Sequence, residues 1–453
     1  MTADTGSAVE PVFRRPSQRV DAAPPTHVAW ATPVGWTAVG IAVLAYVGLI
    51  GIGRTSLFAL LVVLAVVGVT TPWFARIGSL DTSVDLPGLL RLSLGLKLLA
   101  IIPRYALRED SRDYHRAGKQ LADHFRSFDF AIDPGRGIPG TGSVRYLTGL
   151  VEVLTFEDEM ATFVVFALFG MVGVVLFLAA AIIALPALDV RRYALLLLFW
   201  PTMIYWPSSI GKDSVLVLGL GAVAYGVARI LTGRLSGAVP AALGLTLSGL
   251  VRPHVALIAV TAAIAALILS SPRGNGRGLI IRLVIIGGLL FAGSFAANAL
   301  EGVFNIDGLN PTGVARALDL ANQRSAQGGS SFHAARIDGI TEYPWGFITV
   351  LIRPFPQETS SIAMLLTAIE GLALAMLLAL AVPRVLGAVR HLRTEAYVAY
   401  AAAFTLVFIY LFSALGNFGI LARQRSMTIP LVLLFIALPT ARERVQHRRS
   451  ARS

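Results

Sequence analysis

Residues 235–271 read LSGAVPAALGLTLSGLVRPHVALIAVTAAIAALILSS, an apolar stretch with one charged break at Arg252-Pro-His254. The stretch is longer than the roughly 20 residues that cross a bilayer as one helix. The nearest basic residues on its two sides are Arg229, Arg234, Arg273, Arg277 and Arg282. Because basic residues collect in cytoplasmic loops, both groups belong on one side of a membrane, and an even number of crossings separates them. The stretch is therefore predicted to form two short helices that turn at Arg252-Pro-His254 on the outer side.

The composition is that of a membrane protein. Of the 453 residues, 55% are hydrophobic and 14% are charged, and the mean hydropathy is +0.71, whereas about 25% of the residues of a soluble protein are charged. The net charge of +12 comes from basic residues that recur between apolar runs, which fits cytoplasmic loops. Nucleic acid is not expected as a partner, because no basic stripe interleaves with aromatic residues. The chain has no cysteine, which excludes disulfides, thiolate metal sites and cysteine nucleophiles.

The same charge argument, applied along the whole chain, predicts an all-α polytopic transmembrane helix bundle of about 12 spans with both termini cytoplasmic. Residues 1–30 are predicted to be a disordered cytoplasmic arm, residues 31–440 the transmembrane domain and residues 441–453 a basic cytoplasmic tail. The third apolar run contains Arg91 and Lys97, and cations at membrane depth must face protein, water or headgroups. Besides the opening stretch, the apolar runs lie at about 33–53, 56–75, 88–107, 160–185, 193–207, 213–231, 279–299, 362–382, 396–415 and 427–439.

Most of the distinctive polar residues fall in segments that this topology assigns to the outer face. The two longest are the loops 108–158 and 300–361. The first loop has apolar residues at helical spacing in 111–126 and 143–156, which predicts two helices that lie on the membrane surface. The other polar segments are the turns at residues 206–213, 252–254 and 417–425. We therefore expect the functional site at the outer face.

The stretch Arg108-Glu-Asp-Ser-Arg-Asp-Tyr-His-Arg-Ala-Gly118 opens the first outer loop and is dense in charge. Asp110 and Asp113 are three residues apart and share one face of a helix, where either carboxylate suits a general base that takes a proton from a hydroxyl. The alternative is a solvated loop in which Asp110 caps a short helix. Tyr114 and His115 of the same stretch are candidate substrate-binding residues.

Lys212 and Asp213 end the turn at residues 206–213. Lys212 would bind a phosphate oxygen as a point charge, with the N-terminal amides of the following helix assisting. Alternatively, Asp213 caps that helix and the Lys212 side chain extends to the membrane interface. Both are candidate substrate-binding residues.

Three arginines and a histidine complete the candidate site. Arg252 is costly at membrane depth unless it is paired, which favours a functional role, and His254 is either a further ligand or a hydrogen-bonded structural residue. Arg423 and Arg425 are two residues apart, so that their guanidinium groups suit a phosphate or pyrophosphate; contact with headgroups is the alternative. Arginines usually collect on the cytoplasmic side of a membrane, so arginines on the outer face indicate a specific function.

No metal or other cofactor is predicted, because the seven histidines never pair at metal-ligand spacing and no His-Glu-x-x-His occurs. Carboxylates such as Asp110 remain able to hold one divalent cation weakly. Two further outer motifs are Arg353-Pro-Phe-Pro-Gln-Glu358, interpreted as an interfacial elbow, and Gly328-Gly-Ser-Ser-Phe-His333, interpreted as a flexible loop.

Together these residues resemble the polytopic GT-C superfamily of lipid-linked-sugar glycosyltransferases. The likeness is to the bacterial branch related to dolichyl-phosphate-mannose mannosyltransferases and lipopolysaccharide-core glycosyltransferases. Asp110-Ser-Arg-Asp-Tyr-His115, Pro139-Gly-Thr-Gly and Tyr146-Leu-Thr-Gly149 look like the acidic loop and surface helices of that family, and the resemblance covers roughly residues 88–440. The chain departs from the family in its two additional early spans, in its Asp-x-x-Asp spacing and in having no large outer carbohydrate-binding domain.

The resemblance implies a multi-pass enzyme of the bacterial plasma (inner) membrane that moves a sugar from a polyprenyl-phosphate donor to a glycan or lipid acceptor during cell-envelope polysaccharide synthesis. One aspartate of the acidic stretch would be the general base. The implied phosphate ligands are Lys212, Arg252, Arg423 and Arg425. The alternatives are a repeat-unit polymerase that acts on undecaprenyl-pyrophosphate glycans, a lipid or polysaccharide transporter, and a non-catalytic membrane protein.

Overall fold

The chain is helical through most of the part that the structure describes. In this computed structural model, that part comprises residues 31–107, 109–269, 276–306, 308–326, 330–390, 392, 394–440 and 443. The predicted arm at residues 1–30 lies outside it, and so does the predicted tail apart from residue 443. Within the described residues, extended backbone pairs at one isolated bridge, between Ser331 and Asn417.

The helices follow the apolar runs closely. Up to the end of the interrupted apolar stretch they are α1 (Ala31–Gly51), α2 (Leu57–Gly78), α3 (Leu86–Leu107), α4 (Glu109–Arg126), α5 (Thr141–Thr155), α6 (Glu159–Ala184), α7 (Val190–Phe199), α8 (Pro201–Tyr205), α9 (Lys212–Leu231), α10 (Ala238–Val251) and α11 (Pro253–Leu269). The later ones are α12 (Gly276–Phe304), α13 (Pro311–Ser325), α14 (Tyr343–Leu351), α15 (Ile362–Leu380), α16 (Val382–Arg390), α17 (Ala396–Phe412), α18 (Phe418–Gln424) and α19 (Ile429–Ala437). Short 3-10 helices lie at Leu235–Gly237, Ile340–Glu342, Pro356–Glu358 and Arg425–Met427.

Seven of the described helices are long and apolar enough to cross a membrane: α1, α2, α3, α6, α9, α12 from Ile280 onward, and α15. A bent pair, Phe418–Met427 and Ile429–Ala437, adds an eighth if its two parts form one span. Shorter apolar helices cover Leu235–Val251, Pro253–Leu269 and Ala396–Phe412. The predicted bundle of apolar helices is therefore confirmed, whereas the number of about 12 spans and the cytoplasmic side of the termini stay predictions.

Helix α9 lies at the centre of the bundle and packs closely on α6 and α10. A Cβ atom added at Gly221 of α9 would lie 2.3 Å from the carbonyl oxygen of Gly173 in α6. On the other side, a Cβ atom at Gly244 of α10 would lie 2.3 Å from the carbonyl oxygen of Gly219. Small residues let helix backbones approach in a membrane, where dispersion contacts and not water exclusion drive packing. These contacts fix α9, whose first residues belong to the candidate site.

Two proline breaks divide apolar runs inside the bundle. The run predicted at residues 193–207 is divided into two helices. Helix α7 ends before Trp200, and Pro201 begins α8. The opening stretch is divided at Arg252 into α10 and α11, as predicted, and Pro253 begins α11. Proline suits the first turn of a helix because its missing N–H group would have no intrahelical partner there. The second break places the Arg252 side chain at a helix junction.

The two helices predicted in the first outer loop are present as α4 and α5, and they pack against each other. Leu121 and Phe125 of α4 are buried. A Cβ atom added at Gly149 of α5 would lie 2.7 Å from the Cβ atom of Leu121, so the contact requires glycine there. This pair of helices brings the starts of α4 and α5 close to the start of α9 and the end of α10.

Candidate functional site

Arg423 lies between two carboxylates from distant parts of the chain. Its Nη1 donates a hydrogen bond to Oδ2 of Asp110 over 2.8 Å, and its Nε lies 2.8 Å from Oδ2 of Asp213. The Asp213 side chain is 8% exposed, whereas the Asp110 side chain is 60% exposed. Arg423 therefore joins a buried carboxylate to one that is open to solvent.

Helix ends position these three side chains. Asp110 lies in the first turn of α4, Asp213 lies in the first turn of α9, and Arg423 lies in the last turn of α18. A carboxylate in the first turn of a helix interacts favourably with the helix dipole. The residue at the N-cap of α9 is Gly211, so Asp213 is not the cap considered as the alternative from sequence. Its carboxylate pairs with Arg423 instead.

Lys212 connects α9 to the start of α5. Its Nζ donates a hydrogen bond to Oγ1 of Thr141 over 3.0 Å. The preceding residue, Gly140, donates from its backbone N–H to the carbonyl oxygen of Leu250 over 2.8 Å, near the end of α10. The turn before α5 is thereby held between Lys212 and the break at Arg252.

Arg252 reaches α18 through an uncharged partner. Its Nη1 donates a hydrogen bond to Oε1 of Gln424, which is buried. Arg252 also interacts electrostatically with Asp213 and Arg423. Gln424 and Thr141 were not predicted from the sequence, because a neutral side chain in an apolar chain gives no charge signal. The only hint for Gln424 was its position between two arginines.

Tyr114 follows Asp110 by one helical turn and faces the same charges. Its side chain is buried, and a Cβ atom added at Gly211 would lie 3.8 Å from its ring. Burial raises the pKa of Tyr114 to about 12, and the neighbouring carboxylates of Asp110 and Asp213 act in the same direction. The phenol is therefore protonated at neutral pH and can donate a hydrogen bond.

We name these six residues the charged cluster: Asp110, Tyr114, Lys212, Asp213, Arg252 and Arg423. Its three cations and two carboxylates give a formal charge of +1. Guanidinium groups bind phosphate oxygens with directed pairs of donors, and an ammonium adds a point charge. The cluster can therefore bind one phosphate group, and the exposed carboxylate of Asp110 can accept a proton beside it.

An apolar cavity of about 310 Å³ adjoins the charged cluster and shares Arg252 with it. Arg252, His254 and Gln424 form the polar part of the cavity lining, and the rest is aliphatic and aromatic, with most of its side chains from α12, α13 and α17. The His254 ring lies 5.9 Å from the ring of Phe412, centroid to centroid. His254 is thus part of the cavity wall next to Arg252. The volume is within the usual range for small-molecule sites, about 300–1,000 Å³.

Two predicted site residues face α5 instead of the charged cluster. Both carboxylate oxygens of Asp113 accept hydrogen bonds from Nη2 of Arg145, over 3.0 and 2.7 Å. Nδ1 of His115 lies 2.7 Å from Oε1 of Glu152, which is fully buried. These contacts give Asp113 and His115 places in the α4–α5 interface and not the predicted places in the site. The two aspartates of the acidic stretch therefore have different surroundings.

Arg425 is also directed away from the charged cluster. It is 4% exposed, and its Nε donates a hydrogen bond to the carbonyl oxygen of Val350 over 2.7 Å. Its Nη2 donates to the carbonyl oxygen of Arg353. The pair of arginines predicted to grip one phosphate is therefore divided. Arg423 faces the cluster, and Arg425 anchors the end of α18 to the end of α14.

The other end of α18 is held by the loop at residues 330–333. Oγ of Ser330 donates a hydrogen bond to Oδ1 of Asn417, the N-cap residue of α18, over 2.9 Å. The ring of Phe332 stacks on that of Phe418 with centroids 4.1 Å apart, and the Arg353 guanidinium lies over both rings. The predicted flexible loop therefore packs on α18 from residue 330 onward; residues 327–329 lie outside the described residues.

Within the described ranges, no three His, Asp or Glu side chains are grouped so that they could hold a metal ion. Comparison of the chain with protein-family models finds no match. Searches of the curated proteins and of the solved structures find no match either.

Proposed function

We propose that this protein is an integral membrane glycosyltransferase that moves a sugar from a polyprenyl-phosphate donor to a glycan or lipid acceptor at the outer face of a bacterial inner membrane. The observation that carries the proposal is that Arg252 belongs both to the charged cluster and to the lining of the apolar cavity. A lipid phosphate needs cations next to apolar surface, because its head is anionic and its chain is hydrocarbon.

Lys212, Arg252 and Arg423 are the proposed phosphate ligands. They come from the start of α9, the α10–α11 break and the end of α18, so the phosphate would be bound where three elements meet. Preorganised cations stabilise charge that develops on a leaving group, and their effect is larger where water is excluded. The isoprenoid units next to the phosphate would lie in the apolar cavity.

In the proposed reaction, a hydroxyl oxygen of the acceptor attacks the anomeric carbon of the donor sugar. The bond from that carbon to the phosphate oxygen breaks, and its electron pair stays on the polyprenyl phosphate. The hydroxyl proton passes to the carboxylate of Asp110. One direct displacement inverts the configuration at the anomeric carbon.

The ion pair between Arg423 and Asp110 supports the choice of Asp110 as the base. A donor phosphate would compete for Nη1 of Arg423, the atom that Asp110 contacts. Its binding would leave Asp110 free to accept a proton while Nε of Arg423 keeps its contact with the buried Asp213. Donor binding and the activation of the base are then one event.

A polysaccharide repeat-unit polymerase remains the second candidate from sequence, but no contact in the described residues favours it. Its main support was a joint grip of Arg423 and Arg425 on a pyrophosphate. Arg425 instead donates to backbone carbonyl oxygens. A transporter would use ionisable groups within its spans to bind or relay its cargo. Two such groups, Lys97 and Glu370, instead form hydrogen bonds that hold the short helix α8.

The test is lipid retention by the full-length protein purified in nanodiscs and analysed by native mass spectrometry. The wild type is expected to retain decaprenyl phosphate in preference to decaprenol, and Arg423→Gln is expected to lose that preference. Arg192→Gln is the matched control, because Arg192 also pairs with an aspartate but lies outside the cluster. Equal retention of the two lipids by the wild type would contradict the proposal. Sugar transfer from radiolabelled decaprenyl-phosphate sugars then tests the reaction itself.

A further inference from the structure

A second cavity, of about 410 Å³, lies against a face of α13 next to the face that lines the apolar cavity. Its lining includes Arg336, Asp338, Tyr343 and Tyr410. We propose that this groove binds uncharged sugar units of a glycan. Its further assignment as the acceptor site of the transferase depends on the proposed function.

The groove offers the groups that sugars require. Tyr343 and Tyr410 provide aromatic rings with hydroxyl groups, which suit a ligand with an apolar face and a polar edge. Arg336 provides N–H donors, and Asp338 provides acceptor oxygens. Sugar hydroxyls act as donors and acceptors, so a lining with both kinds of group can satisfy them.

The charges in the groove disfavour an anionic ligand. Nη1 of Arg336 pairs with Oδ1 of Asp319, and its Nε donates to Oδ1 of Asp338 over 2.8 Å. Both carboxylates are more than half exposed. They would repel an approaching phosphate or sulfate, and the Arg336 cation is already paired with them. The groove thus differs from the charged cluster, where three cations face two carboxylates.

The Glu342 side chain holds the rim of the groove in place. Oε2 of Glu342 accepts hydrogen bonds from the backbone N–H groups of Asp338 and Gly339, the second over 2.8 Å. The 3-10 helix Ile340–Glu342 follows directly. A site that is already ordered loses less conformational entropy when it binds a ligand.

Helix α13 lines both cavities. Pro311 and Ala315 face the groove, Val314 and Ala317 face the apolar cavity, and Leu318 lines both. Residues spaced by three or four positions share one helix face, so two neighbouring faces of α13 serve the two cavities. A donor chain in one cavity and a glycan in the other would lie against adjacent faces of the same helix.

The absence of cysteine from the natural chain permits a direct test. Ala315→Cys introduces a thiol into the groove, and Ser360→Cys introduces one on an exposed turn outside it. Each variant, as full-length protein in nanodiscs, is labelled with a membrane-impermeant maleimide. The probes are maltotetraose, mannotetraose and chitotetraose as neutral glycans, and a chondroitin sulfate tetrasaccharide as the anionic one.

At least one neutral tetrasaccharide is expected to slow labelling at the Ala315→Cys thiol about fivefold when present at about four times its Kd, with no change for Ser360→Cys. Adding Arg336→Gln to Ala315→Cys is expected to abolish the protection. Protection by none of the neutral glycans, or protection by the sulfated glycan alone, would overturn the proposal. Unchanged labelling at Ser360→Cys with the Arg336→Gln change shows that the variant is folded.

Decaprenyl phosphate retention, measured on the same preparations, separates this proposal from the proposed function. Protection without selective retention of the phosphate lipid would leave a glycan-binding groove and remove the transferase. Selective retention without protection would leave the lipid site and overturn the groove.

Discussion

Nζ of Lys97 donates a hydrogen bond to the carbonyl oxygen of Met203, near the end of α8. At the start of that five-residue helix, the carboxylate of Glu370 accepts hydrogen bonds from N and Oγ1 of Thr202, over 3.0 and 2.7 Å. The first N–H groups and the last carbonyl groups of a helix have no partners within the helix, and these two side chains supply partners at both ends. Two polar side chains of apolar helices therefore hold α8, which leads into the turn that carries Lys212.

Glu370→Gln is expected to destabilise the protein by about 1–3 kcal/mol, the usual cost of leaving a buried hydrogen-bonding group without its partner. The glutamine amide retains one acceptor oxygen and places a donor group opposite a Thr202 donor. Thermal unfolding in detergent measures the change. Leu366→Met on the exposed side of the same helix is the control. A Glu370→Gln melting temperature equal to that of the wild type would show that the carboxylate does not hold α8.

The pairing of Arg423 with Asp213 predicts that substitutions change stability and lipid retention in different ways. Arg423→Gln leaves a buried carboxylate unpaired, and breaking a buried pair costs about 3–5 kcal/mol. The double variant Arg423→Gln/Asp213→Asn removes both charges, so its melting temperature is expected to return towards that of the wild type. Retention of decaprenyl phosphate is not expected to return, because the cation is still missing. Full recovery of lipid retention in the double variant would exclude Arg423 as a phosphate ligand.

Asp110 and Asp113 provide a matched pair, because their side chains are 60% and 59% exposed and both pair with an arginine. Asp110→Asn is expected to lower the rate of sugar transfer about 10²–10⁴-fold, the usual contribution of a general base. Asp113→Asn is expected to retain most of the rate, because its partner Arg145 belongs to the α4–α5 interface. Initial rates with saturating donor measure both variants. Equal losses in the two variants, or no loss in Asp110→Asn, would contradict the assignment of the base.

The sequence predicted the helices well where apolar runs are long, and it predicted the break at Arg252 because charge and proline coincide there. It also singled out the cations and carboxylates of the charged cluster, since a charge is a strong signal in an apolar chain. The division of the run 193–207 at Trp200 was missed, although Pro201 was visible.

The partners of the charged residues could not be predicted, because they depend on which helix faces are adjacent in the folded chain. Asp113 and Arg425 illustrate the point. Each lies within three residues of a member of the charged cluster, yet each is directed to another wall by its own contact. Gln424 gives no signal in sequence because an amide is neutral, and its role is visible only when Arg252 is placed beside it.

Close packing of α9 predicts opposite effects for two glycine-to-alanine changes. Gly221→Ala would place its Cβ atom 2.3 Å from a backbone oxygen of α6, whereas a Cβ atom at Gly287 of α12 has no atom within 4 Å. Alanine favours helix over glycine by about 1 kcal/mol, so Gly287→Ala is expected to be neutral or stabilising. Gly221→Ala is expected to be destabilising, because overpacking costs about 1–3 kcal/mol. Thermal unfolding of the two variants measures the difference, and two equal melting temperatures would contradict the packing of α9 on α6.

The raised pKa of Tyr114 predicts that the folded protein loses stability at high pH. Its pKa is raised from 10.0 to about 12, so the folded protein holds this proton more tightly than the unfolded chain does. The stabilisation is fully present below about pH 10 and is lost as the pH rises through about 12, with a total of about 3 kcal/mol at most. Tyr114→Phe removes the ionisable group, and its melting temperature is therefore expected to fall less than that of the wild type between about pH 9 and pH 11.5. Other buried tyrosines titrate in both proteins, so the difference between the two curves isolates Tyr114. Parallel curves would show that the phenol is not held protonated beside Asp110.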